Sequence, residues 1–175
     1  MVIHIDGDLL EIQKAMNLDV ICHQVNCQGK MASGIAKQIR DTYPKVYNEY
    51  KAKYDTASRN RQILLGDIQY VALYEDFMQD GIKHYHVCNM FAQDNYGYDG
   101  KRYTSYDAFW ACLNRIKLSL QPGMTIGFPY KIGCDRGGAN WNVIEAMIKE
   151  VLDEDFTVYI VHYNGGKWYD KRMEF

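Results

Sequence analysis

The chain has 175 residues, 47% of them hydrophobic and 24% charged, which is enough apolar surface to order one domain and too much for a disordered chain. Twenty Lys and Arg against 22 Asp and Glu leave a net charge of −2, which argues against a general nucleic-acid or anionic-membrane binder. The longest uncharged run, Leu118 to Tyr130, is too short to span a membrane and carries Pro122 and Pro129.

Asp6, Asp8 and Glu11 stand where a secretory leader would be basic and then apolar, and the five scattered cysteines read as free thiols. A cytoplasmic protein is the expectation.

In chain order, Val2 to Ile5 is a short strand, Gly7-Asp8 a turn, and Leu9 to Met16 helical. Val20 to Val25 has the β-branched character of a buried strand. A loop from Asn26 to Ser33 leads into a helix whose apolar face is Ile35, Ala36, Ile39 and Tyr43. Pro44 interrupts it and starts a second helix carrying Val46, Tyr47 and Tyr50. Ile68 to Tyr74 and Tyr85 to Phe91 flank Gln79-Asp80-Gly81, which predicts an antiparallel hairpin. Thr104-x-x-Asp107 resembles a helix start, and Tyr106, Phe109, Trp110, Leu113, Ile116 and Leu120 follow at helical spacing. Met124 to Phe128 is a strand stopped by Pro129. A glycine-rich loop, a helix from Trp141 and a last strand from Phe156 to Val161 complete the chain. Strands alternating with helices, plus one hairpin, predict an α/β fold. We read it as a three-layer α/β/α sandwich with a mixed, mostly parallel sheet, in one domain over residues 1–175.

Two glycine-containing loops, Asn26 to Ala36 and Gly133 to Trp141, each leave a strand and enter a helix. Such a mouth exposes unpaired backbone N–H groups where the helix dipole favours negative charge, and glycine lets that backbone approach a ligand. A pair of them could grip a diphosphate; the alternative is that they are plain connecting turns. Gly29-Lys30 precedes Gly34, so the order of a Walker loop is missing, and no G-x-G-x-x-G occurs. The Cys134 to Arg136 spacing is also too tight for a thiol phosphatase loop.

Taken in order, these segments resemble the macro domain family, which binds ADP-ribose. Gly7-Asp8-Leu9 looks like the family's early signature, and Val25-Asn26-Cys27-Gln28-Gly29 through Ser33-Gly34-Ile35-Ala36 like its first ligand loop. Asn89-Met90-Phe91-Ala92-Gln93, Tyr96-Gly97 and Thr104-x-Tyr106-Asp107-Ala108 are similar to the middle of one branch. Pro129 to Cys134, Gly137-Gly138 and Trp141 are similar to that branch's second loop. The branch includes small phage, bacterial and fungal proteins described as ADP-ribose 1''-phosphate phosphatases, and it is similar to the branch that removes ADP-ribose from glutamate.

The resemblance implies roles. Asp8, beside Leu9, would accept from the adenine amino group, Asn26 would hold the distal ribose, and Ser33, Gly34 and Ile35 would offer N–H groups to the phosphates. Gly133, Cys134, Arg136, Gly137 and Gly138 would close over the diphosphate and distal ribose. Lys30, Met31, Ile132 and Asn140 complete the implied ligand-binding set. Tyr163 would pack on adenine or merely edge the core.

His23 precedes the first loop, where a phosphatase of the family carries a catalytic histidine; its other reading is a satisfied core residue. In the glutamate-directed branch a lysine stands where Met90 is placed and an aspartate where Gly137 is placed. These departures disfavour covalent lysine chemistry and leave His23 and Asp135 as the catalytic pair. The implied partner is ADP-ribose or a derivative, with an ADP-ribosylated protein as a further one; neither membrane nor nucleic acid is implied. A monomer and no cofactor are expected. His84, His86 and Cys88 share one strand face, but packing explains them more simply than zinc.

Overall fold

The computed structural model describes residues 1–57, 60, 63–77 and 81–165, with the side chains of 75–77 and 81–83 excepted. Its elements run β1 (Val2–Asp6), α1 (Leu9–Met16), β2 (Val20–Asn26), α2 (Gly34–Thr42), α3 (Pro44–Thr56), β3 (Ile68–Phe77) and β4 (Gly81–Gln93). They continue with α4 (Tyr106–Ser119), β5 (Thr125–Pro129), α5 (Trp141–Leu152) and β6 (Thr157–His162).

The strands form one six-stranded sheet in the order β1-β6-β5-β2-β4-β3, parallel throughout except for the antiparallel β3–β4 pair. Strand alternation sends apolar residues to both faces, so each face needs a helical cover. Ile21, Val25, Val87 and Phe91 face a core completed by Leu9, Leu10 and Ile12 of α1, Ile39 of α2, and Val46 and Tyr50 of α3. Cys22, Cys88, Met90 and Ile126 face the other core, against Phe109, Leu113 and Ile116 of α4 and Ile144 and Ile148 of α5. Each fully buried aliphatic or aromatic side chain contributes about 1.5–3 kcal/mol of transfer free energy. The three-layer α/β/α reading therefore holds, with three helices on one side and two on the other.

Several boundaries differ from the sequence reading. Asn26 is the last residue of β2 instead of the first of a loop. The hairpin strands are longer than their apolar runs, since pairing extends from Ile68↔Met90 to Phe77↔Gly81. Gln79 and Asp80 of the expected turn lie outside the described residues. The cap of α4 is Ser105, whose hydroxyl accepts from Ala108 N at 3.1 Å, and not Thr104. Thr104 is buried instead at the sheet's carboxyl end, where an isolated bridge pairs it with Gln93. Tyr43 and Pro44 separate α2 from α3 as the proline predicts.

All five cysteines are free, four of them buried. His86 and His84 lie edge-on against the rings of Tyr70 and Tyr74 across the hairpin, and no group of three metal-binding side chains occurs among the described residues. No helix among them is long and apolar enough to cross a membrane.

Candidate functional site

At the carboxyl ends of the parallel strands lies a cleft of about 600 Å³. Its first wall is the loop after β2, which is folded by its own side chains. The Asn26 side chain accepts from Gln28 N at 2.9 Å and donates to the Lys30 carbonyl at 2.8 Å, closing the loop on itself. The hydroxyl of Tyr50, on α3, lies 2.8 Å from Asn26 Oδ1 and accepts from Lys30 N at 2.9 Å. Gly29 has φ +70°, and a Cβ there would fall 2.7 Å from the Tyr54 ring. Met31 points down and is 2% exposed, anchoring the loop in the core.

The chain then turns at Gly34 (φ +54°) into α2, whose first bond is Lys37 N to the Ser33 carbonyl at 3.2 Å. The N–H groups of Gly34, Ile35 and Ala36 have no carbonyl four residues back. All three residues line the cleft, and nothing lies within 4 Å of the place a Gly34 Cβ would take.

The second wall, after β5, is folded by backbone contact. Gly133 O accepts from the Thr104 hydroxyl at 2.9 Å and from Ala139 N at 3.0 Å. Gly137 O accepts from Tyr103 N and Thr104 N, each at 2.8 Å, and Arg136 O from Gly97 N at 3.3 Å. A Cβ on Gly137 would stand 2.2 Å from Thr104 Oγ1 and 2.4 Å from Gly133 O. No side chain fits there, which is why an aspartate cannot occupy this position without repacking the loop. Asn140 caps α5 by accepting from Asn142 N at 2.9 Å.

The floor is polar. Between Val25 and Asn26 the β2–β4 register slips by one residue, a bulge that turns both strand ends toward the cleft. Gln24 Nε2 donates to Gln93 Oε1 at 2.5 Å and to Thr104 Oγ1 at 2.8 Å, while Gln93 Nε2 donates to the Asn95 carbonyl at 2.8 Å. Lys30, Lys131 and Arg136 line the walls, with Asp135 as the one carboxylate among the described residues there. In a chain of net charge −2, this makes the cleft locally positive and suited to an anion.

Of the residues singled out from the sequence, Leu9, Asn26, Lys30, Ser33, Gly34 and Ile35 line the first side of the cleft. Ile132, Gly133, Asp135, Arg136, Gly137 and the 71%-exposed Tyr163 line the rest. Five others stand behind the walls. Asp8 is buried as the N-cap of α1, accepting from Leu10 N at 2.9 Å and, through its other oxygen, from the Gln38 amide. Met31 is in the core, Asn140 is a helix cap, and Gly138 (φ +66°) packs against the Lys101 carbonyl. Cys134 Sγ contacts the Ile132 carbonyl, and burial pushes its thiol up to about 11, so it is protonated near neutrality.

The catalytic assignment of His23 is corrected. Alternation sends His23 to the α1–α3 face with Ile21 and Val25, and it is 0% exposed. Its Nε2 lies 2.5 Å from Asn89 Oδ1, and Asn89 in turn donates to Gln69 Oε1 at 3.1 Å. With the Asn89 oxygen as acceptor, His23 Nε2 carries the proton. Burial drives its pKa down to about 4, partly offset by that hydrogen bond. A neutral imidazole sealed under helices cannot take a proton from water in the cleft.

Met90 is likewise buried on the α4–α5 face, and the β4 residue that reaches the cleft is Gln93, an amide and not an amine. Sequence reasoning missed Gln24, and it quoted Gln93, Tyr96 and Thr104 within family-like segments without giving them a place in the site. For Gln24 a signal existed: it is a polar residue within an otherwise buried strand, one position out of phase with Val25.

No protein-family model matches the sequence, and comparison with curated proteins finds no match. Solved structures do match. A protein of unknown function from Bacteroides thetaiotaomicron is 24% identical, with a TM-score of 0.73 over 94% of this chain and 98% of that one. The macrodomain of Thermus aquaticus DarG is 20% identical, with a TM-score of 0.66 over 94% and 98%. Thermosipho africanus DarTG in complex with ADP-ribose is 15% identical, with a TM-score of 0.64 over 87% of this chain and 40% of that one. The sheet order, the helical layers and these likenesses agree: the chain has the macrodomain fold.

Proposed function

We propose that the chain binds ADP-ribose or a derivative in this cleft and hydrolyses a group from its distal ribose. The observation that carries the reading is the mouth of α2, where the N–H groups of Gly34, Ile35 and Ala36 face a locally positive second loop. A solved structure of the same fold, Thermosipho africanus DarTG, is a complex with ADP-ribose. The diphosphate fits the α2 mouth, and the adenine fits the end near Leu9 and Tyr163, at the β1–β6 side. The distal ribose fits the end near Gln24, Gln93 and Asp135. That end lies two to three strand spacings from β6, about 10–14 Å.

With His23 excluded, Asp135 is the general base. Its carboxylate takes a proton from a water whose oxygen attacks the terminal phosphorus or acyl carbon. The bond to the distal ribose oxygen then breaks, and that oxygen receives the proton back from Asp135. Backbone N–H groups and Arg136 stabilise the negative charge that develops.

Wild-type protein should turn over one of ADP-ribose 1''-phosphate, O-acyl-ADP-ribose or an ADP-ribosylated protein. Asp135→Asn should lower that rate about 10–100-fold, the lower part of the range for losing a general base. One observation favours a second reading, a non-catalytic ADP-ribose reader: among the described residues Asp135 is the single carboxylate of the lining. Tight ADP-ribose binding with no turnover of any of the three substrates selects the reader.

A further inference from the structure

Asp8 and Gln38 meet where the start of α1 touches α2, beside the end of the cleft that suits the adenine. Asp8 stands behind the wall, 6% exposed. As the cap of α1 its Oδ1 accepts from Leu10 N at 2.9 Å and from Glu11 N at 3.3 Å, while its Oδ2 accepts from Gln38 Nε2. Gln38 is half-buried and lines the cleft, as does Leu9, the neighbour of Asp8. It lies four residues past Gly34, about 6 Å along the axis of α2 from the mouth. Its neighbour Ile39 is wholly buried and fixes α2 against the core.

These contacts decide which way the carboxamide faces. A carboxylate that already receives two backbone N–H groups offers its other oxygen as an acceptor, so the amide turns its NH2 toward Asp8. The opposite orientation would set Oε1 against Oδ2, two acceptors with no proton between them. Oε1 is therefore turned away from Asp8, and no donor bonds it among the described residues. The wall holds a carbonyl acceptor of fixed orientation, kept in place by a carboxylate that itself stays out of the cleft.

We propose that Gln38 is the residue that selects the base: its Oε1 accepts a hydrogen bond from the exocyclic amino group of a 6-aminopurine and excludes a 6-oxopurine. The proposal rests on the ADP-ribose reading and adds the class of nucleotide taken and the side chain that decides it. It also replaces the role that the family resemblance implies for Asp8. The carboxylate does not meet the base; it is a positioning residue that acts through Gln38. An adenine amino group donates, whereas the O6 of hypoxanthine or guanine accepts. Against a fixed acceptor the 6-oxo base puts two oxygens face to face. Gln38 cannot turn over to relieve them without losing its bond to Asp8.

The test is calorimetric titration of the full chain with ADP-ribose and with its hypoxanthine counterpart, inosine diphosphate ribose. The readout is the ratio of the two affinities, which a merely structural loss would not move. Wild-type protein should favour ADP-ribose by about tenfold or more, the scale of one unmatched acceptor. Gln38→Leu should bring the ratio to within about threefold of one. Asp8→Asn keeps a competent helix cap but turns an NH2 toward Gln38, so the carboxamide inverts and offers Nε2 to the base. In that variant the preference should pass to the inosine ligand. Circular dichroism confirms that each variant is folded.

A wild-type ratio near one, with both ligands bound, overturns selection by Gln38 while the ADP-ribose reading stands. A tenfold ratio that persists in Gln38→Leu overturns it too, since the base is then read elsewhere. An Asp8→Asn ratio equal to that of wild type overturns the positioning by Asp8. If wild-type protein binds neither ligand, the ADP-ribose reading fails and the proposal with it.

Discussion

The first loop is closed by side chains, Asn26 bonding across it and Tyr50 holding it from α3. The second is closed by backbone, with Gly133 and Gly137 pressed against Thr104 and the segment after β4. The difference decides what each can offer a ligand. Asn26 makes its loop's internal bonds, so what the first loop presents is the row of N–H groups opening α2. The second loop uses glycines and carbonyls to hold itself, which leaves the side chains of Asp135 and Arg136 to face the cleft. Backbone N–H groups on one side and charged side chains on the other are a difference that follows from how each loop is built.

The largest effect should come from breaking the second loop at its tightest point. Gly137→Ala places a Cβ within 2.2 Å of Thr104 Oγ1 and 2.4 Å of a backbone carbonyl, and neither can move without unseating the loop. The expected loss is about 3 kcal/mol of stability by urea denaturation, the upper end for overpacking, together with loss of ADP-ribose binding. An alanine variant of wild-type stability would show that the loop repacks freely.

Next in size is a control on the face of the sheet that the cleft does not use. His23 has its pKa lowered by burial to about 4 in the fold, against 6.5 when unfolded. Below pH 6.5 the unfolded chain takes up a proton that the folded chain refuses, so this residue's contribution is complete above 6.5 and lost as pH falls toward 4. The loss reaches about 3 kcal/mol at pH 4. His23→Leu should flatten the pH dependence of stability between 6.5 and 4 relative to wild type, whatever its effect on stability at pH 7. Parallel curves would mean that His23 is not sealed from solvent.

Gly34→Val sharpens the comparison from the other wall. The new Cβ has no protein atom within 4 Å of it, and the branched side chain would project where a phosphate would sit. We expect affinity for ADP-ribose to fall about 100-fold or more while the fold survives, with about 1 kcal/mol lost to the left-handed φ of +54°. A folded variant with wild-type affinity would reduce Gly34 to a helix-start residue.

Layers, helices and sheet class were legible because they rest on apolar periodicity and on glycine and proline punctuation, as at Tyr43-Pro44 and in the two loops. The cleft floor was not. Gln24 left only its polarity within a buried strand as a signal, and Gln93 reaches the floor past a bulge between Val25 and Asn26, a one-residue slip that leaves no mark in a single sequence. The misreading of His23 has a related cause: nearness to Asn26 along the chain suggested nearness in space, whereas strand alternation puts neighbours on opposite faces. Tyr96 was marked only by the family resemblance and Tyr98, whose hydroxyl donates to Asp135, not at all, since an irregular segment is placed only by the tertiary contacts of Gly97, Tyr103 and Thr104.

The central claim is that the cleft takes a ligand long enough to engage both loops at once. Calorimetric titration of the wild-type chain with ADP-ribose and, separately, with AMP tests it most directly. The account predicts a dissociation constant for ADP-ribose of about 1 µM or tighter, roughly −8 kcal/mol, and AMP weaker by about tenfold or more, since AMP lacks the second phosphate and the distal ribose. Equal affinities for the two ligands would contradict it.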